Sequence, residues 1–386
     1  MSTILSSFHA LLLVVVSARQ DDRSSPPSLR GPQNGGVLCP LSPGAQQFGY
    51  IQPRFSYRYF YGIIEANKSP ETSPTFLYIG GGLGSSSIGT AGTVNGPCTM
   101  NPNGAVQLLN RYSWTEDANS IWVDAPGPTG FSEGPMEPDL VAVVENLVHF
   151  VDGLFKDHGK LNRDLHLIGT SASASVVAML GSSIVKKPQL KINLKGVMMR
   201  HGLVGPMSIY HGCLTMAKEH KLLPAGELEQ MAQDLKACET KNRQVQRGRS
   251  GRSLPDLGAC KDATRFCDAA TYVRLKEQGR SLYDVRARSG EDARFFEFKP
   301  GPVLDAFNKF TTYDTTSFVE DLLDGGIKMC QQLNQGPPLC HLYVCSQVVV
   351  LAGNYDYVAN AIGNLNWMTG LKGKDNYGEK LRAVQP

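Results

Sequence analysis

Five short apolar runs, each ending in small or turn-forming residues and alternating with segments of helical period, constrain the fold of this chain most. They are Phe76-Leu77-Tyr78-Ile79, Ser120-Ile121-Trp122-Val123, Leu165-His166-Leu167-Ile168, Leu194-Lys195-Gly196-Val197-Met198-Met199 and Val348-Val349-Val350-Leu351. Runs this short and continuous suit strands buried on both faces, as in a parallel sheet. Between the second and third, Leu140, Val143, Val144, Leu147, Val151, Leu154 and Phe155 recur at the 3.6 period. Asp139 is placed to cap the start of that helix and Gly159 its end. Strand, helix and strand in this order predict an α/β fold with a mostly parallel central sheet flanked by helices.

The 386 residues, 41% hydrophobic and 19% charged, are enough to bury one large core carrying a sizeable insertion. A net charge of +3, with no interleaving of aromatic and basic residues, argues against a nucleic-acid partner. At the N-terminus, Ala10-Leu11-Leu12-Leu13-Val14-Val15-Val16 followed by Ser17-Ala18 reads as a signal peptide over residues 1–18, although only His9 supplies basic character before it. That stretch is too short to span a bilayer and no other apolar run approaches 18 residues, so no membrane span is expected. Nine cysteines agree with an oxidising compartment, and their odd number leaves at least one outside any set of pairs. A secretory-pathway protein, secreted or delivered to a lysosome or vacuole, is the expectation.

The domain reading follows the rhythm. Residues 19–206 form the first part of the core, 207–300 an inserted lid, and 301–386 the rest of the core. The lid region breaks the alternation, with four cysteines (Cys213, Cys238, Cys260, Cys267) and a basic stretch from Lys241 to Arg252 that reads as a solvated loop or a site of proteolytic nicking. Residues 330–346 read as an unusual insertion, foreign enough to the pattern to resemble a translated intron.

Two local patterns carry chemistry. Gly169-Thr170-Ser171-Ala172-Ser173-Ala174 follows an apolar strand, and only small neighbours allow the tight strand-turn-helix elbow that exposes a serine above a sheet. Gly80-Gly81-Gly82-Leu83-Gly84 also follows a strand and can present backbone N–H groups to an oxyanion. No Gly-Lys-Ser/Thr ending and no dinucleotide spacing accompany it, which disfavours phosphate binding. No cofactor and no metal are expected.

These segments resemble the serine carboxypeptidase family in order and spacing. The resemblance is carried by Gly81 to Ser87, Asn95-Gly96-Pro97-Cys98, Tyr112-Ser113-Trp114 and Asp124-Ala125-Pro126-Gly127-Pro128-Thr129-Gly130-Phe131-Ser132. The elbow at Ser171, Leu194-Lys195-Gly196, Gly202-Leu203 and Gly353-Asn354-Tyr355-Asp356 continue it. The resemblance implies an α/β-hydrolase fold with an inserted lid, and release of C-terminal residues from peptides through an acyl-enzyme. It implies Ser171 as nucleophile, Asp356 as the orienting carboxylate, and the N–H groups of Gly82 and Ala172 as the oxyanion hole.

The same resemblance exposes departures. The family's histidine should follow Asp356, whereas His149, His158, His166, His201, His211, His220 and His341 all precede it. These are read as ordinary surface or core histidines, with His201 replacing the asparagine of a Gly-Asn-Gly strand end. The asparagine and two glutamates that the family sets against the substrate carboxylate, beside Gly81, correspond to Gly80, Thr170 and Val94. Loss of a triad member typically costs about 10⁴ to 10⁶ in turnover, so impaired hydrolysis of peptide C-termini is expected. The alternative is a secreted pseudoenzyme acting as a binding or regulatory protein. The last strand and helix of the core are expected to be missing, leaving an exposed sheet edge for a partner to cover. Asn67-Lys68-Ser69 is followed by Pro70, which makes it a poor glycosylation acceptor.

Overall fold

The computed structural model describes residues 36–101, 106–247, 257–290, 301–329 and 347–383. The signal peptide, Gly248 to Arg252 of the basic stretch, and the insertion at 330–346 lie outside the described residues.

The strands are β1 Gln46–Arg54, β2 Tyr57–Ile64, β3 Thr75–Ile79, β4 Cys98–Met100, β5 Val106–Leu109, β6 Asn119–Val123, β7 Leu165–Thr170, β8 Leu194–Arg200, β9 Lys328–Met329 and β10 Gln347–Leu351. Eight of them form one sheet in the order β1-β2-β6-β3-β7-β8-β10-β9, while β4 and β5 make a separate hairpin. From β6 to β9 every pairing is parallel, and β1, β2 and β6 pair antiparallel. All five predicted runs are strands of the parallel part. Their continuous apolar character follows from cover on both faces.

The helices include α1 Ser87–Ala91, α2 Leu140–Asp157, α3 Ser173–Val185, α4 Pro206–Glu219, α5 Ala225–Arg247, α6 Leu257–Asp268, α7 Arg274–Glu277, α8 Pro302–Phe307, α9 Thr316–Asp324, α10 Ala361–Thr369 and α11 Tyr377–Ala383. The predicted helix is α2, and Asp139 Oδ1 accepts from Ala142 N at 2.9 Å to cap it. Its stripe packs with α3 and α9 on one face of the sheet, in a cluster holding Val143, Leu147, Val151, Val176, Leu180 and Leu322. On the other face Phe60, Phe76, Tyr78, Trp122 and Ile168 form a smaller aromatic cluster against Trp114.

The region from α4 to α7 has a third cluster of its own, with Tyr210, Cys213, Met231, Leu235 and Cys238 packed around Tyr357. Cys238 and Cys267 are disulfide-bonded there, and Cys39 and Cys98 near the hairpin. One expectation is corrected: the basic stretch is helical as far as Arg247 rather than a loop. Met231, Leu235, Cys238, Asn242 and Val245 are buried at helical spacing, and that stripe outweighs the charge on the opposite face. Beyond β10 the sheet continues with the short strand β9, which pairs with Gln347 and Val348.

Among the described residues no helix is long and apolar enough to cross a membrane, and no group of three or more metal-ligating side chains occurs.

Candidate active site

The parallel strands deliver three side chains to one edge of the sheet. Thr170, Arg200 and Leu351 are register partners at the carboxyl ends of β7, β8 and β10, so the residues just beyond them are lateral neighbours. Ser171 follows β7, His201 follows β8, and Asp356 lies on the loop after β10.

Ser171 sits in the left-handed region at φ 58°, two residues before α3 begins. The turn closes only because its neighbours are small: a Cβ on Gly169 would lie 2.3 Å from the Ser173 carbonyl oxygen. Ser171 N donates to Arg200 O at 2.8 Å, and Leu203 N donates to Ser171 O at 3.4 Å. The elbow is therefore held on both sides to the chain that carries His201. Ser171 Oγ makes no hydrogen bond among the described residues.

The glycine loop after β3 lies against this elbow. A Cβ on Gly81 would meet the Thr170 carbonyl oxygen at 2.7 Å and Ser171 Cβ at 3.2 Å, so only glycine allows the approach. The Ser173 hydroxyl donates to Gly80 O, and Gly80 N donates to Ser87 Oγ at 2.9 Å. Gly82 is left-handed at φ 65°. No described residue accepts a hydrogen bond from Gly82 N–H or Ala172 N–H. Asp124 braces the loop, accepting from Ser86 Oγ (2.9 Å), Ser87 N (2.7 Å) and Phe131 N (3.0 Å). Its complete burial nevertheless pushes the carboxyl up to about 6.

Asp356 accepts from Ala359 N at 3.0 Å through Oδ1, and its Oδ2 stands 3.3 Å from His201 Nδ1. The two side chains are 12% and 24% exposed, so the pair is largely withdrawn from solvent. His201 is also left-handed, at φ 46°, and its N–H donates to Leu351 O at 2.7 Å. The loop bearing Asp356 is fixed from behind: Tyr357 is fully buried, Cys213 Sγ donates to Tyr357 O, and Asn360 Nδ2 donates to Ile209 O at 3.0 Å.

Of the residues singled out from sequence, Ser171, Gly80, Gly81, Gly82, Thr170 and Ala172 come together around the elbow, and Asp356 lies two strands away. Val94 is partly exposed on the segment after α1, while the Thr170 hydroxyl pairs with Tyr78 OH at 3.0 Å. A small apolar hollow beside Ala172 is walled by Leu83, Leu140, Leu203, Phe307 and Phe310. Sequence reasoning passed over His201. The signal was its place one residue beyond the strand that follows the nucleophile's strand, which becomes informative once β8 is known to lie between β7 and β10.

Comparison with known proteins bears on this geometry. A family profile described as serine carboxypeptidase matches residues 38–321. The chain is 26% identical over 356 residues to a carboxypeptidase Y homolog A of Trichophyton verrucosum, covering 86% of this chain and 63% of that protein. It is also 26% identical over 370 residues to a vacuolar serine-type carboxypeptidase of Saccharomyces cerevisiae, covering 88% of this chain and 70% of the other. The chain thus spans less than two thirds of the length of the Trichophyton relative. A prohormone-processing carboxypeptidase from Saccharomyces cerevisiae has a similar fold, at a TM-score of 0.65 with 18% identity, over 85% of this chain and 77% of the other.

Proposed function

The chain belongs to the serine carboxypeptidase family, and from that premise we propose that it is a serine-type peptide hydrolase that forms an acyl-enzyme on Ser171 and acts on peptide C-termini with reduced efficiency. The observation that carries this reading is the left-handed elbow at Ser171, held against the glycine loop on one side and bonded on the other to the segment that carries His201, itself paired with Asp356.

In this reading Ser171 Oγ attacks the scissile carbonyl carbon and its proton passes to an imidazole. Within the described residues the imidazole that meets Asp356 is His201. With Nδ1 on the carboxylate, Nε2 is the nitrogen left to take the proton and later return it to the departing amine. The oxyanion that forms is held by the N–H groups of Gly82 and Ala172, which have no other acceptor among the described residues. Water then attacks the acyl-serine by the reverse proton path and releases the acid.

Two features support reduced efficiency. The His201–Asp356 separation of 3.3 Å is longer than the roughly 2.7–2.9 Å of a strong charge-assisted hydrogen bond. Gly80, Val94 and Thr170 bring no carboxyl group beside the elbow, and the Thr170 hydroxyl already has a partner in Tyr78. The second reading, a non-catalytic binding protein, is favoured by the lack of a hydrogen bond from Ser171 Oγ to a base among the described residues. That contact commonly tightens only when substrate binds. The disulfides, and the vacuolar relative, support placement in the secretory pathway or a vacuole.

The test is a fluorophosphonate probe with peptide mapping, at pH 5 and pH 7.5. Stoichiometric labelling of Ser171, absent in Ser171→Ala, is the expected result. Wild-type protein left unlabelled at both pH values favours the binding-protein reading instead.

A further inference from the structure

Arg200 ends β8 one residue before His201, and its side chain lies almost wholly inside the protein, 3% exposed. On β8 it shares a face with Met198, which packs on the aromatic cluster of Tyr78, Trp122 and Ile168. Its guanidinium carbon stands 4.8 Å from the centre of the Trp114 ring. Ring contact is the guanidinium's only described partner: among the described residues no carboxylate lies within ion-pair reach, and its charge interaction is with the Tyr78 phenol. Desolvation pulls its pKa down, as expected for a cation without a counter-charge.

A buried arginine is almost always paired, because removing a guanidinium from water is strongly unfavourable and a ring face offsets only part of that cost. Here the neighbouring positions add no anion. Thr170, the register partner of Arg200, spends its hydroxyl on Tyr78. A second unpaired group lies behind the same tryptophan. Trp114 N donates to Asn95 O at 2.9 Å, and Asn95, 2% exposed, has neither side-chain Oδ1 nor Nδ2 hydrogen-bonded. Arg200 itself adjoins the elbow through its backbone, its carbonyl oxygen accepting from Ser171 N at 2.8 Å, and Ser171 is partly exposed.

We infer that Arg200 is a ligand-binding residue, its guanidinium pairing with a carboxylate of the peptide whose carbonyl lies at Ser171. The planar fork matches a carboxylate in two parallel hydrogen bonds, and a single cation suits a single negative charge better than a phosphate dianion. The inference rests on the reading of Ser171 as the nucleophile of a peptide hydrolase. The carboxylate has two sources, the free C-terminus of the peptide or an acidic side chain next to the scissile bond.

Calorimetric titration of the full chain, carrying Ser171→Ala to prevent turnover, separates them with three peptides. N-acetyl-Phe-Leu carries a C-terminal carboxylate, N-acetyl-Phe-Asp amide a side-chain carboxylate, and N-acetyl-Phe-Leu amide neither. One of the two acids is expected to bind at least about tenfold tighter than the neutral amide, as a charged hydrogen-bonded pair would give. Arg200→Met should reduce that preference below about twofold, and Arg200→Lys should keep part of it. Equal binding of all three peptides, binding of none, or a preference that survives Arg200→Met overturns the inference. Arg200→Met is also expected to melt at or above the parent temperature, since it removes an uncompensated charge. A clear drop would make Arg200 a structural residue and overturn the inference as well. Fluorophosphonate labelling of chains with Ser171 intact separates this result from the parent reading, because the probe has no carboxylate. Labelling lost throughout, with the Arg200-dependent preference retained, sinks the hydrolase and leaves the carboxylate site; labelling at the wild-type rate without a preference does the reverse.

Discussion

Ser171 and His201, at φ 58° and 46°, place two non-glycine residues in the left-handed region on neighbouring strand ends. Each such residue costs about 1–2 kcal/mol, a cost also met at turns such as Lys191 and Asn376, but here it sets two side chains at one edge of the sheet. The glycine loop makes the same point from the other side. Gly81→Ala would force a methyl group to 2.7 Å from the Thr170 carbonyl oxygen, which must push the loop off the elbow. The expected outcome is a fall of at least about tenfold in fluorophosphonate labelling, with a stability loss of about 1–3 kcal/mol by urea unfolding; an unchanged labelling rate would detach the loop from catalysis. At this scale the elbow was legible in the sequence because its requirements are local: an apolar strand, a tight turn, small neighbours. His201 and Arg200 were not. Their significance comes from Asp356 and Trp114, each distant in sequence, and appears only when β8 is set between β7 and β10.

Among the elements, continuous apolar runs and α2 were legible because burial on two faces, or along one stripe, writes a period into the sequence. The antiparallel strand β2 also carries a buried apolar run, Tyr59 to Ile64, which sequence reading passed over, while β1 mixes polar and partly buried residues at the sheet's margin. Helix α5 was hidden for the opposite reason, its charge masking a buried stripe that ends at Val245. That helix is tied to α6 by Cys238–Cys267 across 29 residues, a loop for which chain entropy gives about 3–4 kcal/mol of stabilisation. Replacing both cysteines by serine should lower the melting temperature by roughly 4–5 °C. Limited proteolysis should then cut first between α4 and α7. An unchanged melting temperature would show that the third cluster holds without the crosslink. Because Tyr357 is part of that cluster, the same variant should also weaken labelling at Ser171.

Taken whole, the molecule raises carboxyls by desolvation in separate places, Asp124, Glu137 and Asp268 among them. Asp124, under the glycine loop, and Asp268, whose only described partner is Tyr210 OH at 2.8 Å, are both pushed up to about 6 by burial, from an ordinary value near 3.8. A carboxyl raised on folding holds its proton more tightly in the folded state. Its stabilising contribution is complete below about pH 4 and is lost as pH rises through about 6, on the order of 1–3 kcal/mol for each group. Glu116 and Asp324, held below their ordinary values by hydrogen bonds, act in the opposite direction, but they are partly exposed and screened. The melting temperature is therefore expected to fall between pH 4.5 and 7, and Asp268→Asn to flatten that fall; a rise across the same interval would contradict the assignment. Greatest stability at mildly acid pH fits the vacuolar placement proposed above. The central claim is that Ser171 is activated by His201 held on Asp356, and the direct measurement is a double-mutant cycle on the second-order rate of fluorophosphonate labelling. Residues that act as a unit are non-additive, so His201→Gln and Asp356→Asn should each slow labelling by about a hundredfold or more, and the double variant scarcely further. Labelling of His201→Gln at the wild-type rate, or two losses that simply multiply, would contradict it.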